Sequence, residues 1–294
     1  MEKPISKSTL YISGAARFSD LVYLIGRDRK LVEDDIEHAR FIGFDRGNFG
    51  HNGDRNWRGV ALCVVKLPSE RMVAIGEDGQ VFTYVGGKHT DEKIEPKPIC
   101  LRNIGVVDGF AYACGMKRQV YRRSGENGWV TMNAPPPADD QTAGFEAIAG
   151  YSAKEIYAVG WNGEIWEHDG SQWLHRGSPT NLILTGLTCA GNGEVYICGQ
   201  RATLLHGRHD LWEIIDLDPF IQDLWDAHWY GDKLYLASMT GLFTWTAADG
   251  LVPVDFGPDK PATCYRLTSA EKVLYSIGTD DVFSFDGTTW TRVD

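Results

Sequence analysis

Leu184-Thr185-Gly186-Leu187-Thr188-Cys189, Asn192-Gly193, Glu194-Val195-Tyr196-Ile197-Cys198, Thr203-Leu204-Leu205-His206, His209-Asp210 and Leu211-Trp212-Glu213-Ile214-Ile215 follow one another in the clearest passage of the chain. The apolar, β-branched and aromatic runs are short and the separators are turn formers, so the passage predicts four antiparallel strands joined by tight turns. Its second strand recurs at 21–26, 72–76, 112–115, 156–160, 234–238 and 274–278. The small residues closing these runs lie 50, 39, 45, 39, 39 and 40 positions apart, the period of one propeller blade. The expected fold is all-β: a single seven-bladed β-propeller of four-stranded antiparallel blades, with six or eight blades left open by an irregular first unit.

Working outward from that passage, one domain is expected over 1–294, with blades near 9–44, 57–96, 99–134, 144–179, 182–216, 222–256 and 262–294. The two long spacings are assigned to two insertions outside the strands. One is the polar stretch 45–56; the other is 133–141, whose prolines cannot donate to a ladder. Residues 31–38 are too acidic for a good strand and are expected to form a helical turn.

Composition narrows the function. The formal charge is −11, and a nucleic-acid surface needs a clustered excess of Lys and Arg, so nucleic acid is not an expected partner. No apolar run is long enough for a membrane span or a signal peptide, so a soluble cytoplasmic protein is expected. The six cysteines form no C-x-x-C pair, and Cys114 and Cys198 stand where other repeats carry Ile75, Val159 or Ile277. They read as small buried hydrophobes.

The ending of the fourth unit, Asp169-Gly170-Ser171-Gln172-Trp173, returns in the last as Asp286-Gly287-Thr288-Thr289-Trp290. This resembles the Asp-Gly-x-x-Trp corner of tectonin-type lectins, photosystem II assembly-factor propellers and sialidase-like repeats. The resemblance covers most of the chain and implies the propeller superfamily. It implies no single family's function, because the Trp-Asp and Gly-His pairs of WD repeats are incomplete, as is the sialidase Asp box, and the kelch signature is absent. Physically, Asp-Gly supplies a turn with positive φ, and the Trp covers the gap between blades.

No H-E-x-x-H, G-x-S-x-G, Walker loop or dinucleotide fingerprint is present, so no catalytic residue and no cofactor are assigned. His206 and His209 lack a third ligand nearby, and 45–54 lacks the spacing of a calcium loop, so no metal is assigned. The adjacent carboxylates Asp34-Asp35, Asp139-Asp140 and Asp280-Asp281 read as solvated turns, since neighbouring residues on a strand point to opposite faces.

In a propeller the loops between second and third strands share one face with the connections between blades, and partners are expected there. Acidic and basic second-to-third loops alternate around blades seven, one, two and three, so the ring is read as partly self-neutralising. The connection into the sixth blade interleaves acids with aromatics: Asp216, Asp218, Phe220, Asp223, Trp225, Asp226, Trp229 and Tyr230. With Trp161, Asp139 and Asp140 these are the candidate partner-binding residues, carboxylates steering a basic protein and aromatics anchoring it. The competing role for Trp225 and Trp229 is inter-blade packing. The expected function is a non-enzymatic protein-protein interaction module, most concretely an immunity-type inhibitor or scaffold that binds a basic toxin or nuclease. A tectonin-like lectin binding a glycan or other small molecule, and an enzyme with a site in the central funnel, are the alternatives.

Overall fold

The computed structural model describes residues 5–138 and 141–294. Seven four-stranded sheets each use four strands in sequence order, antiparallel throughout, with the first strand of each innermost. The inner strands are Thr9–Phe18, Gly59–Val65, Leu101–Val107, Phe145–Ser152, Leu184–Cys189, Leu224–Tyr230 and Arg266–Ala270. Each packs on the next, and the last packs on the first, closing the ring.

The core is divided among the seven junctions, one apolar cluster to each. This division explains the repeat. Tyr23, Tyr112, Tyr157, Tyr196, Tyr235 and Tyr275 hold the same place in the second strands of six blades, and each is buried against the following blade. Blade two carries Val73 there, and Tyr121 of blade three fills the same junction from the other side. Burying such a ring is worth roughly 2–3 kcal/mol, so the tyrosines are joints between blades before they are anything else.

Closure uses packing and side chains rather than strand exchange. Tyr11 N donates to Thr279 O (2.8 Å), Ala16 N to Thr268 Oγ1 (3.0 Å) and the Tyr275 hydroxyl to Ser19 O (2.9 Å), all across the junction of blades seven and one. Arg29 pairs with Asp280 at the same seam. The Asp-Gly corners behave alike: Gly170 and Gly287 have φ of 96° and 101°, and Asp169 and Asp286 each accept from the backbone two and three residues ahead. Trp173 then reaches back to donate to Met132 O (2.5 Å), and Trp290 packs on Phe256 and Phe285.

Two expectations about the first unit change. The stretch 45–56 is not an insertion outside the strands: Asn48–Arg55 is the outer strand of blade one, paired along Ala39–Asp45. Its polarity misleads because an outer strand is solvated on much of its surface. The extra length sits instead at 29–38, where a short helix, Arg29–Glu33, is capped by the Asp28 carboxylate accepting from Lys30 N and Leu31 N. Residues 132–138, with their prolines, do connect blades three and four without strand structure.

Candidate partner-binding face

The loops between second and third strands are clasped to the inter-blade connections by backbone hydrogen bonds. Glu77 N donates to Arg58 O (3.2 Å), Met116 N to Cys100 O (3.0 Å), Trp161 N to Gly144 O (3.0 Å), Gln200 N to Ile183 O (3.0 Å) and Cys264 N to Met239 O (3.1 Å). These segments therefore form one continuous face, which we call the connection face.

Charge is unevenly spread over it. Around blades two to four, the segments 56–58, 77–79, 94–100, 116–118 and 161–164 carry four acidic and four basic residues; the connection between blades three and four adds Asp139 and Asp140 in sequence, both outside the described residues. Each of these cations is engaged: Arg58 with Glu77 (3.7 Å), Lys97 with Asp78 (3.1 Å), Arg118 with Glu164 (2.6 Å), while Lys117 donates to Gln141 O. The Arg118–Glu164 pair is buried and bidentate, and it also receives the Trp166 indole N–H. Around blades five to seven and one, the segments 29–38, 200–203, 215–223, 254–265 and 278–281 carry eleven acidic and four basic residues. Asp280 is taken by Arg29, and Asp259 and Asp281 by Arg292. Among the described residues, Glu33, Asp34, Asp35, Glu37, Asp216, Asp218, Asp223 and Asp255 make no ion pair.

The acidic aromatic connection does not act as one surface. Asp216, Asp218 and Asp223 lie on the connection face, with Asp223 accepting from Arg201 N (2.8 Å) and Asp216 from Asp218 N (3.0 Å). Phe220 turns inward onto Phe243, leaving Ile221 exposed beside it at 79%. Trp225 is half-buried against Tyr265. Trp229 stacks on Tyr196 with an interplanar angle of 9°, a blade-to-blade joint, and the Tyr230 hydroxyl donates to Lys272 O (2.6 Å) at the far end of the same strand. Trp161 donates to Glu146 (2.7 Å), which also receives Arg102 (3.0 Å). Asp139 and Asp140 lie outside the described residues.

Asp226 lines the central channel, a space of about 430 Å³ bounded by the inner strands. Its carboxylate accepts from Ala227 N (2.9 Å) and Leu267 N (2.8 Å), and burial raises its pKa against the opposing effect of Arg266. Two residues on, His228 bonds Ser269 Oγ (2.8 Å), and burial lowers its pKa to about 4. Both residues tie blade six to blade seven.

The cysteines are all free thiols. Cys63, Cys114, Cys198 and Cys264 are buried, and burial pushes Cys63 and Cys198 up to about 12 and Cys264 up to about 11. Cys100 and Cys189 are partly exposed, unlike the expectation, with Cys100 Sγ 3.1 Å from Glu77. Of the ten tryptophans, Trp57, Trp166, Trp173 and Trp212 are buried and the other six are partly buried. The charge asymmetry emerges only when the short loops are joined with the connections that share their face, a juxtaposition that the sequence order conceals.

No family model matches the chain. Among solved structures, it is similar to a catalytically inactive variant of virginiamycin B lyase from Staphylococcus aureus crystallised with quinupristin (TM-score 0.75, 9% identity, 96% of both chains). It is also similar to YCF48 bound to D1 peptide (TM-score 0.69, 12% identity, 94% of this chain and 91% of that one). Those likenesses establish the propeller fold. Among curated proteins, the chain is 42% identical over 307 aligned positions, spanning both chains in full, to the immune protein Tsi7 of Pseudomonas aeruginosa. At that identity and coverage the chain belongs to the Tsi7 immune-protein family.

Proposed function

We propose that the chain is a non-enzymatic immunity protein that binds a basic protein toxin through the acidic half of its connection face and occludes it. Kinship with an immune protein supports the immunity role, and the uneven charge supports where the partner sits. Eight carboxylates without ion pairs among the described residues focus a negative potential that attracts a basic surface and speeds encounter. Ile221, exposed among Asp216, Asp218 and Asp223, supplies an apolar contact in the same region.

The experiment is calorimetric titration of the purified chain with basic protein toxins produced by its own host. The expected result is a saturable complex with one of them that suppresses its activity. Absence of a complex with any of them, or turnover of a substrate by the chain alone, contradicts the reading.

A further inference from the structure

A cavity of about 1000 Å³ lies on the opposite face, between blades one and two. Two glycines line it. Gly43 and Gly50 are directly paired across the third and outer strands of blade one, and their side of the sheet faces blade two, as Phe41 does in stacking on Phe82. At the position of Gly43 the other blades carry Thr83, Arg122, Glu167, His206, Thr244 and Ser284, each opposite the second-strand joint residue. Blade one has no side chain at this position, and the Asn52 amide packs 3.1 Å from where a Cβ on Gly43 would stand.

The walls have a definite chemistry. Phe18 stands 41% exposed at the cavity, and Tyr23 and Tyr84 meet edge to face inside it (5.9 Å between centroids). The Asn52 amide nitrogen is enclosed there and has no hydrogen-bond partner. The cations are already neutralised, Arg17 by Glu70 (2.7 Å) and Arg46 by Asp45 (3.2 Å), so nothing selects an anion. Exposed aromatic surface and carboxylates at the rim suit a molecule with apolar ring faces and many hydroxyls.

We infer that this cleft binds a neutral saccharide of two or three rings. Ring C–H faces pack on Phe18 and the partly exposed Tyr84, and hydroxyls donate to Asp20 and Asp45. The site is single, not repeated around the propeller, and it lies away from the connection face, so it does not compete with the proposed toxin surface.

The test is an array of neutral mono- to trisaccharides probed with the full chain, followed by calorimetry on the best binder. Gly50→Leu is the decisive variant, because a side chain there enters the cleft and its first atom meets only Gly43 O at 3.9 Å. Binding in the array, weakened at least about tenfold by Gly50→Leu and by Phe18→Ala with the melting temperature unchanged, supports the inference. Phe18→Ala, at an exposed position, keeps the test decisive if Gly50→Leu fails to fold. Failure of every neutral saccharide to bind at millimolar concentration, or binding that survives both variants, overturns it. The toxin titration separates this from the immunity reading, since Gly50→Leu is expected to bind toxin like the unmodified chain.

Discussion

The two halves of the connection face are built from the same loops and hold opposite electrostatics. Around blades two to four every cation has found a partner, and the Arg118–Glu164 pair is buried so deeply that it belongs to the fold. Around blades five to seven and one the carboxylates outnumber the cations, and eight of them pair with no cation among the described residues. Charges that satisfy one another hold blades together, whereas charges left over act on whatever approaches. The contrast turns a net charge of −11 from a statement about solubility into a statement about place.

The largest effect separating the halves is on stability. Replacing Glu164 by Ala leaves the Arg118 guanidinium buried and unpaired, and costs about 3–5 kcal/mol, read by urea unfolding. Replacing Asp216, on the acidic half, changes the unfolding midpoint little. An equal loss at the two positions would erase the distinction between structural and free charge.

Next comes the inner wall behind the acidic half. His228 is held neutral by burial, its pKa lowered from 6.5 to about 4. The unfolded chain takes up a proton near pH 6.5 and the folded chain does not until about pH 4. The stability that His228 contributes is therefore complete above pH 6.5 and lost as pH falls through that window. Asp226, whose pKa is raised, works in the opposite sense, because acid relieves the penalty of its buried charge. Between pH 7 and 4.5 the chain is expected to lose roughly 2–3 kcal/mol more than a His228→Asn variant, measured by denaturant midpoints at each pH. Parallel pH profiles for the two proteins would show that His228 is not shielded.

A kinetic effect sharpens the comparison from the partner's side. Toxin association is expected to slow by at least about tenfold between roughly 50 mM and 500 mM salt, because the acidic half steers an encounter over several ångströms of solvent. Lys97→Ala, on the balanced half, should leave that salt dependence as it was. The smallest effect is at the Ile221 contact, where Ile221→Ala is expected to raise the dissociation rate about threefold to tenfold without altering association.

Much of the fold was legible because a propeller writes its joints at a fixed period. The six second-strand tyrosines and the two Asp-Gly-x-x-Trp corners announced the blades, and their contacts are those the repeat implies. Asn48–Arg55 was hidden because an outer strand needs little apolar content, so its polarity resembled a loop. The partner face was legible only in part. Asp216, Asp218 and Asp223 do lie on it, but alternation along one inner strand sends Trp229 into a joint and Asp226 into the channel wall. Nor could sequence alone show the cleft between blades one and two, since its lining is drawn from both blades.

The most direct measurement is toxin affinity for two matched variants. One is Asp216→Asn, Asp218→Asn and Asp223→Asn together, and the other is Lys97→Ala with Lys117→Ala on the opposite half. The account predicts that the aspartate variant binds at least about tenfold more weakly while the lysine variant binds as the unmodified chain does. Undiminished binding by the aspartate variant, with loss in the lysine variant, would place the partner on the balanced half and contradict it.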